Sequence, residues 1–259
     1  MKKRYTFSTG EHFEADLEDL QRLLHENQQY YENYEEVFCS LEDDDYLVRG
    51  NGFCDRKYSD DFIEGQMEKY SQRISMLEKW IAGRHLEVLK EGNARFVAGK
   101  SSRKADYSAD RVKLAEGQHP FAVVLCCSDS RVSPEILFDQ GLGDLFVIRN
   151  AGHVVDEDVL GSIEYAVEHL GTPLVVVMGH SNCGAVTSTC QGGELPGHIK
   201  SIAERIRPSL DSGFCIDDNA RRHAKRMAHM IAENPIVRHE NATVVAAFYD
   251  LRSGLVEWM

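Results

Sequence analysis

No apolar run in this chain of 259 residues approaches the roughly 20 needed to cross a membrane as a helix. The N-terminal Met1-Lys2-Lys3-Arg4-Tyr5-Thr6 leads into polar residues, not into the apolar core of a secretion signal, so a cytoplasmic protein is expected. Positive charge is scarce. With 29 Lys and Arg against 42 Asp and Glu, the net charge of −13 argues against a nucleic-acid partner and against an anionic membrane surface. Cysteines number seven, and without a secretion signal they read as free thiols and metal ligands, not as a disulfide framework. What remains is a soluble, globular chain, 42% hydrophobic and long enough to bury a substantial core in one large or two modest domains.

The charge is unevenly spread. Residues 1–84 hold 11 Lys and Arg against 19 Asp and Glu, which places −8 of the −13 in the first third and marks a boundary. Within 11–42, Phe13, Leu17, Leu20, Leu24, Tyr31, Tyr34, Phe38 and Leu41 recur at steps of three and four, interrupted where Asn27 takes an apolar position. Ile63, Met67, Tyr70, Ile74, Leu77 and Ile81 repeat the spacing. This predicts two amphipathic helices joined by an acidic loop of about twenty residues, an αα-hairpin forming a helical extension over 1–84. Its apolar stripes are packing faces first; a partner-binding arm is the sharper alternative. Cys39 and Cys54 have no metal-ligand spacing around them.

Beyond residue 85 the pattern changes. Runs rich in Val, Ile, Leu and Phe at 121–127, 144–149, 173–179 and 243–249 alternate with helical stretches at 133–139, 157–170 and 195–232. Continuous apolar strands between helices predict an α/β domain over 85–259, with a mostly parallel sheet flanked by helices. The terminal segment from Tyr249 through Gly254 to Trp258 predicts a hairpin adding an antiparallel edge strand. Ligands of such sheets bind beyond the carboxyl ends of the strands.

Two short segments stand at those ends. Cys127-Ser128-Asp129-Ser130-Arg131 closes the run at 121–126, and His180-Ser181-Asn182-Cys183 closes the run at 173–179. Thiolate, imidazole and carboxylate are donors that zinc selects. Cys127, His180 and Cys183 would leave a fourth position for water, the open arrangement of a catalytic zinc. Asp129 has two available roles: fourth ligand in a resting form, or partner of Arg131 that orients the nucleophile in the active form. The bland alternative is a closed Cys₂-His-Asp site that only staples loops together. Cys126 alternates to the other face of its strand and belongs to the core; Cys190 and Cys215 read as structural.

These motifs resemble the β-class carbonic anhydrases, whose Cys-x-Asp-x-Arg is Cys127, Asp129 and Arg131 here and whose His-x-x-Cys-Gly is His180, Cys183 and Gly184. Supporting segments are also similar: Gly92 to Phe96, Gly117-Gln118-His119-Pro120, Asp144 to Gly152 with Arg149 and Asn150, and Ser162 to Val167. The resemblance covers about residues 86–259. It implies reversible hydration of carbon dioxide to bicarbonate and a proton by a zinc-bound hydroxide, with Asp129 and Arg131 catalytic and Gln118 contacting substrate. It also implies a homodimer or a dimer-based oligomer. Val124 stands where one branch of the family carries a tryptophan of an inhibitory bicarbonate site, so no such switch is expected, although Arg149 matches a member of that site. His153 replaces a usual asparagine; a proton-shuttling role is open to it, a surface or loop histidine being the plainer reading. Two alternatives compete with the lyase: a carbon disulfide or carbonyl sulfide hydrolase on the same fold, and a catalytically silent zinc protein with a partner-binding arm.

Overall fold

A computed structural model describes residues 2–7, 9–39, 46–47, 57–58 and 60–259, without the side chains of 34–39, 46, 47, 57, 58 and 60. Leu41, Cys54 and most of the acidic loop fall outside the described residues, as do the side chains of Tyr34, Phe38 and Cys39. The chain divides into two compact units, Met1–Ile81 and Ala82–Met259.

The first unit begins with strands β1 (Lys3–Thr6) and β2 (His12–Ala15), paired antiparallel with Lys3 opposite Ala15. Helix α1 (Leu17–Cys39) follows, then a short antiparallel pair, β3 (Tyr46–Leu47) and β4 (Lys57–Tyr58), and then α2 (Asp60–Val97). The expected first helix thus starts later than residue 11, because Phe13 packs in a strand beside Phe7 and Trp80, with ring centroids at 5.2 and 5.7 Å. Asp16 fixes the new start. Its Oδ1 accepts from the Asp19 N–H, and Asp19 Oδ2 accepts from the Asp16 N–H, both at 3.2 Å, a reciprocal cap that satisfies two free donors. Asn27, the apolar-stripe exception, is buried and donates Nδ2 to the Leu23 carbonyl at 2.7 Å.

In the second unit, the last part of α2 leads to α3 (Ser108–Leu114), β5 (Ala122–Cys127), α4 (Pro134–Leu137) and β6 (Leu145–Asn150). A 3-10 turn at Ala151–His153, α5 (Glu157–Glu164) with a π-turn at Tyr165–His169, β7 (Leu174–His180) and α6 (Gly184–Gln191) come next. The chain ends through α7 (Ile199–Ile206), a 3-10 turn at Arg207–Ser209, α8 (Ile216–Ala232), α9 (Pro235–His239), β8 (Thr243–Tyr249) and β9 (Val256–Trp258). Five of these strands form one sheet, ordered β6-β5-β7-β8-β9, parallel except for the antiparallel edge strand β9.

Side-chain alternation along β5 sorts the two faces. Val124 and Cys126 join Leu89, Phe138 and Met178 on one side, whereas Val123 and Leu125 join Ile163, Met227 and Ile231 on the other. Cys126 is therefore a core residue, and burial pushes its thiol up to about 12. The helical stretch read over 195–232 is broken instead: Pro208 removes a backbone donor, and Asp211-Ser212-Gly213 forms a turn before the Cys215 cap of α8. Helices α3, α6 and α9 lie outside the expected helical stretches; Val186, Thr187 and Thr189 mask α6 and Pro235 shortens α9.

Buried histidines, His85 and His223 among them, make this unit acid-sensitive. Burial pulls His85, packed on the Phe121 ring at 5.1 Å, down to about 4, and pulls His223 down to about 4 as well. A histidine depressed in the folded state contributes stability above its unfolded value, and that stability is lost as pH falls toward the folded value. The window therefore runs from about 6.5 to about 4. At pH 5 the expected loss is about 2 kcal/mol per histidine. Urea unfolding at pH 7 and pH 5 checks this: the difference shrinks in His85→Leu, and an unchanged difference rejects the assignment.

Candidate metal centre

Strands β5 and β7 are neighbours in register, with Cys126 beside Met178, so Cys127 and His180 emerge together at their carboxyl ends. The tight loop after β7, with Asn182 at φ 53°, returns Cys183 to the same point as the cap of α6. The Sγ atoms of Cys127 and Cys183 and a ring nitrogen of His180 all lie within 4.8 Å of one another, and all three residues are buried.

The donor set fits a cation. His180 Nδ1 stands 2.9 Å from the Ser181 carbonyl. A carbonyl only accepts, so Nδ1 carries the proton and Nε2 is left with a bare lone pair. That Nε2 is buried without a hydrogen-bond partner, an unmet acceptor that a metal ion satisfies. The thiols are primed similarly. A hydrogen bond from Cys183, outweighing burial, pulls Cys127 down to about 4, while that shared bond and burial push Cys183 well above the ordinary thiol value. One thiolate and one thiol therefore share a proton that a cation displaces.

Asp129 stands beside this trio, not within it. Arg131 Nε donates to its Oδ1 at 2.9 Å and a terminal nitrogen to its Oδ2 at 2.7 Å, while the Arg131 N–H also reaches Oδ1 at 3.0 Å. This bidentate pair holds the carboxyl well below the usual carboxylate range. Asp129 Oδ2 is 4.0 Å from His180 Nε2.

Several supports escaped the reading of the sequence. Arg149 donates Nε to the Cys127 carbonyl at 3.1 Å and a terminal nitrogen to the Asp129 carbonyl at 2.7 Å, clamping the first ligand turn. The Gly152 N–H points at Cys127 Sγ, 3.3 Å away. Asn150 brackets that turn, its side chain accepting from the Val154 N–H and donating to the Val154 carbonyl. Asp217, in the first turn of α8, accepts from the Asn182 N–H at 2.8 Å. Arg149, Asn150 and Gly152 lay inside a segment with family resemblance; Asp217 carried no sequence signal.

His153 is not a surface histidine. It is fully buried, neither ring nitrogen has a hydrogen-bond partner, and burial holds it well below the ordinary imidazole value. Gln118 lies in the exposed segment before β5. Pro120, two residues on, is anchored at the sheet's opposite end, its carbonyl accepting from Thr172 Oγ1 at 3.0 Å. Strand β5 spans roughly 17 Å, and two residues of chain reach only about 7 Å. Within one chain, Gln118 is not brought to the trio.

Comparison with known proteins places this geometry. The family described as carbonic anhydrase matches residues 122–256. Carbonic anhydrase 2 of Mycobacterium tuberculosis is 43% identical over 182 residues, spanning 65% of this chain and 88% of that protein. A carbonic anhydrase of Mycolicibacterium smegmatis is 55% identical over 128 residues, 48% of this chain and 62% of that protein. Among solved structures, a tetrameric β-carbonic anhydrase of Sordaria macrospora matches with a TM-score of 0.53 at 26% identity, covering 59% of this chain and 89% of that one. The Coccomyxa β-carbonic anhydrase in complex with acetazolamide matches with a TM-score of 0.52 at 26% identity, over 60% and 87% of the two chains.

Proposed function

The chain belongs to the β-class carbonic anhydrases, zinc enzymes that interconvert carbon dioxide and bicarbonate, and we propose that Cys127, His180 and Cys183 hold its zinc while Asp129 and Arg131 orient the attacking water. The observation that carries this is the unmet Nε2 of buried His180 in a group whose donor atoms, with the sulfurs of Cys127 and Cys183, all lie within 4.8 Å of one another. A zinc ion held there supplies a Lewis acid that lowers the pKa of a coordinated water to about 7.

The chain's own residues do the rest. Asp129 stays ionised at every working pH because Arg131 grips both its oxygens. Asp129 Oδ2 accepts only from one Arg131 nitrogen and keeps a further lone pair, so it can accept a hydrogen bond from the nucleophile and fix the direction of its attack. Arg149, bonded to the Cys127 and Asp129 carbonyls, holds the metal-ligand turn and the orienting carboxylate in one rigid piece. No observation favours a sulfur-substrate hydrolase or a silent zinc protein.

The remaining part of this reading concerns assembly. Because Gln118 falls short of its own trio, a homodimer or dimer-based oligomer supplies it from a second copy, where its amide contacts the substrate. The tetrameric assembly of the Sordaria relative supports an oligomer. Residues 85–259 act as the catalytic domain, and residues 1–84 as an accessory extension, in a cytoplasmic enzyme; no helix among the described residues is long and apolar enough to cross a membrane.

Stopped-flow hydration of carbon dioxide tests the activity, with rate expected in proportion to bound zinc; full zinc and no rate rejects it. A heterodimer of Gln118→Ala with Asp129→Ala, purified through two tags, tests the assembly. One of its two sites then has every residue intact, so about half the wild-type rate returns although each parent is impaired. A heterodimer no more active than its parents places Gln118 outside the shared site.

A further inference from the structure

We infer that His223 is a positioning residue for Cys127, acting through Gly152. The side chain of His223 is fully buried on the inner face of α8. Its Nε2 is 2.9 Å from the Gly152 carbonyl and its Nδ1 is 2.9 Å from Ser209 Oγ. The carbonyl can only accept, so Nε2 carries the proton, and Nδ1 accepts from the Ser209 hydroxyl. Both ends of the ring are committed and the tautomer is fixed by its partners.

Gly152 is the link. It adopts φ +75°, and a Cβ there would come within 2.8 Å of Ile206 Cδ1 and 3.0 Å of Ala185 Cβ, so only glycine fits the turn. Packing confines it on that side, and His223 holds its carbonyl. Its N–H, 3.3 Å from Cys127 Sγ, is thereby aimed at the sulfur. Without the imidazole donor, a buried carbonyl loses its partner and the 151–153 turn loses the constraint that keeps this N–H on the thiolate. The same helix braces the other ligand loop through Asp217 and the Asn182 N–H. It also approaches the β7 ligand strand at Gly179, where a Cβ would meet the Ala220 carbonyl at 3.0 Å. One helix therefore sets both ligand loops. Hydrogen bonds of this outer kind fix ligand orientation, and their loss typically weakens metal binding 10- to 100-fold.

The inference rests on the trio as the zinc site, and the test separates the two. Zinc affinity is measured by chelator competition on full-length wild type, His223→Met and His223→Gln. Methionine fills the space without a donor; glutamine offers an amide donor toward the Gly152 carbonyl. The expected result is a loss of roughly 10- to 100-fold for His223→Met and recovery to within about threefold of wild type for His223→Gln. Equal affinity of His223→Met and wild type overturns the inference, as does a glutamine variant as weak as the methionine one. Should His223→Met fail to fold, Ser209→Ala replaces it: loss of the hydroxyl that fixes the tautomer is expected to weaken zinc several-fold, and no change overturns the inference. A wild-type chain that binds no zinc overturns the trio itself, and this inference with it.

Discussion

Asp129→Ala is expected to bind zinc as well as wild type and to hydrate carbon dioxide roughly 10²- to 10⁴-fold more slowly. The argument is geometric. Both carboxylate oxygens are held by Arg131, with Oδ2 4.0 Å from His180 Nε2, and Cys127, His180 and Cys183 gather three donor atoms without Asp129. Removing the carboxylate therefore takes away an acceptor that orients the nucleophile, not a ligand. Arg131→Lys is the companion case: a lysine keeps the charge and loses the two-pronged grip, so an intermediate loss of rate is expected with zinc content unchanged. Zinc quantification beside stopped-flow rates decides the matter. If zinc leaves Asp129→Ala together with the activity, Asp129 is a ligand, and the resting-form arrangement describes the working enzyme.

The residues proposed to carry the chemistry were legible because their types are rare and their places are dictated by topology. Two cysteines and a histidine at the ends of two apolar runs leave few readings, since neighbouring parallel strands end side by side. The strands themselves were legible because a sheet covered on both faces demands unbroken apolar segments, and β5 and β7 are buried along their whole lengths. Helices were read less well. The stretch at 195–232 has helical composition almost throughout, and it breaks at Pro208 and at the Asp211-Ser212-Gly213 turn. The N-terminal hairpin was invisible for a different reason: Phe13 fits a helical stripe and a strand equally, and only the aromatic cluster with Phe7 and Trp80 decides between them. His153 and His223 illustrate the general limit. A histidine's burial depends on what other elements pack over it, and no local spacing encodes that.

Cys183→Ala is expected to lower zinc affinity by more than about 100-fold, beyond the loss typical of an outer-shell contact, and to abolish hydration with it. Three donor atoms within 4.8 Å of one another make a site in which no ligand is spare. The metal-free pair adds a pH signature. Because Cys183 keeps its proton well past neutrality while Cys127 does not, zinc must displace one proton on entry. Wild-type affinity therefore rises about tenfold per pH unit through the neutral range, which competition titrations at pH 6.5, 7.5 and 8.5 resolve. The control lies next door in the strand. Cys126 points into the opposite face beside Phe138 and Met178, so Cys126→Ala keeps its zinc and loses only packing, about 1 kcal/mol of stability. A Cys126→Ala variant as poor in zinc as Cys183→Ala would mean that adjacent thiols exchange the metal, and the trio would have to be redrawn. Retained zinc in Cys126→Ala with loss in Cys183→Ala places the metal on the face of β5 that the alternation of the strand selects.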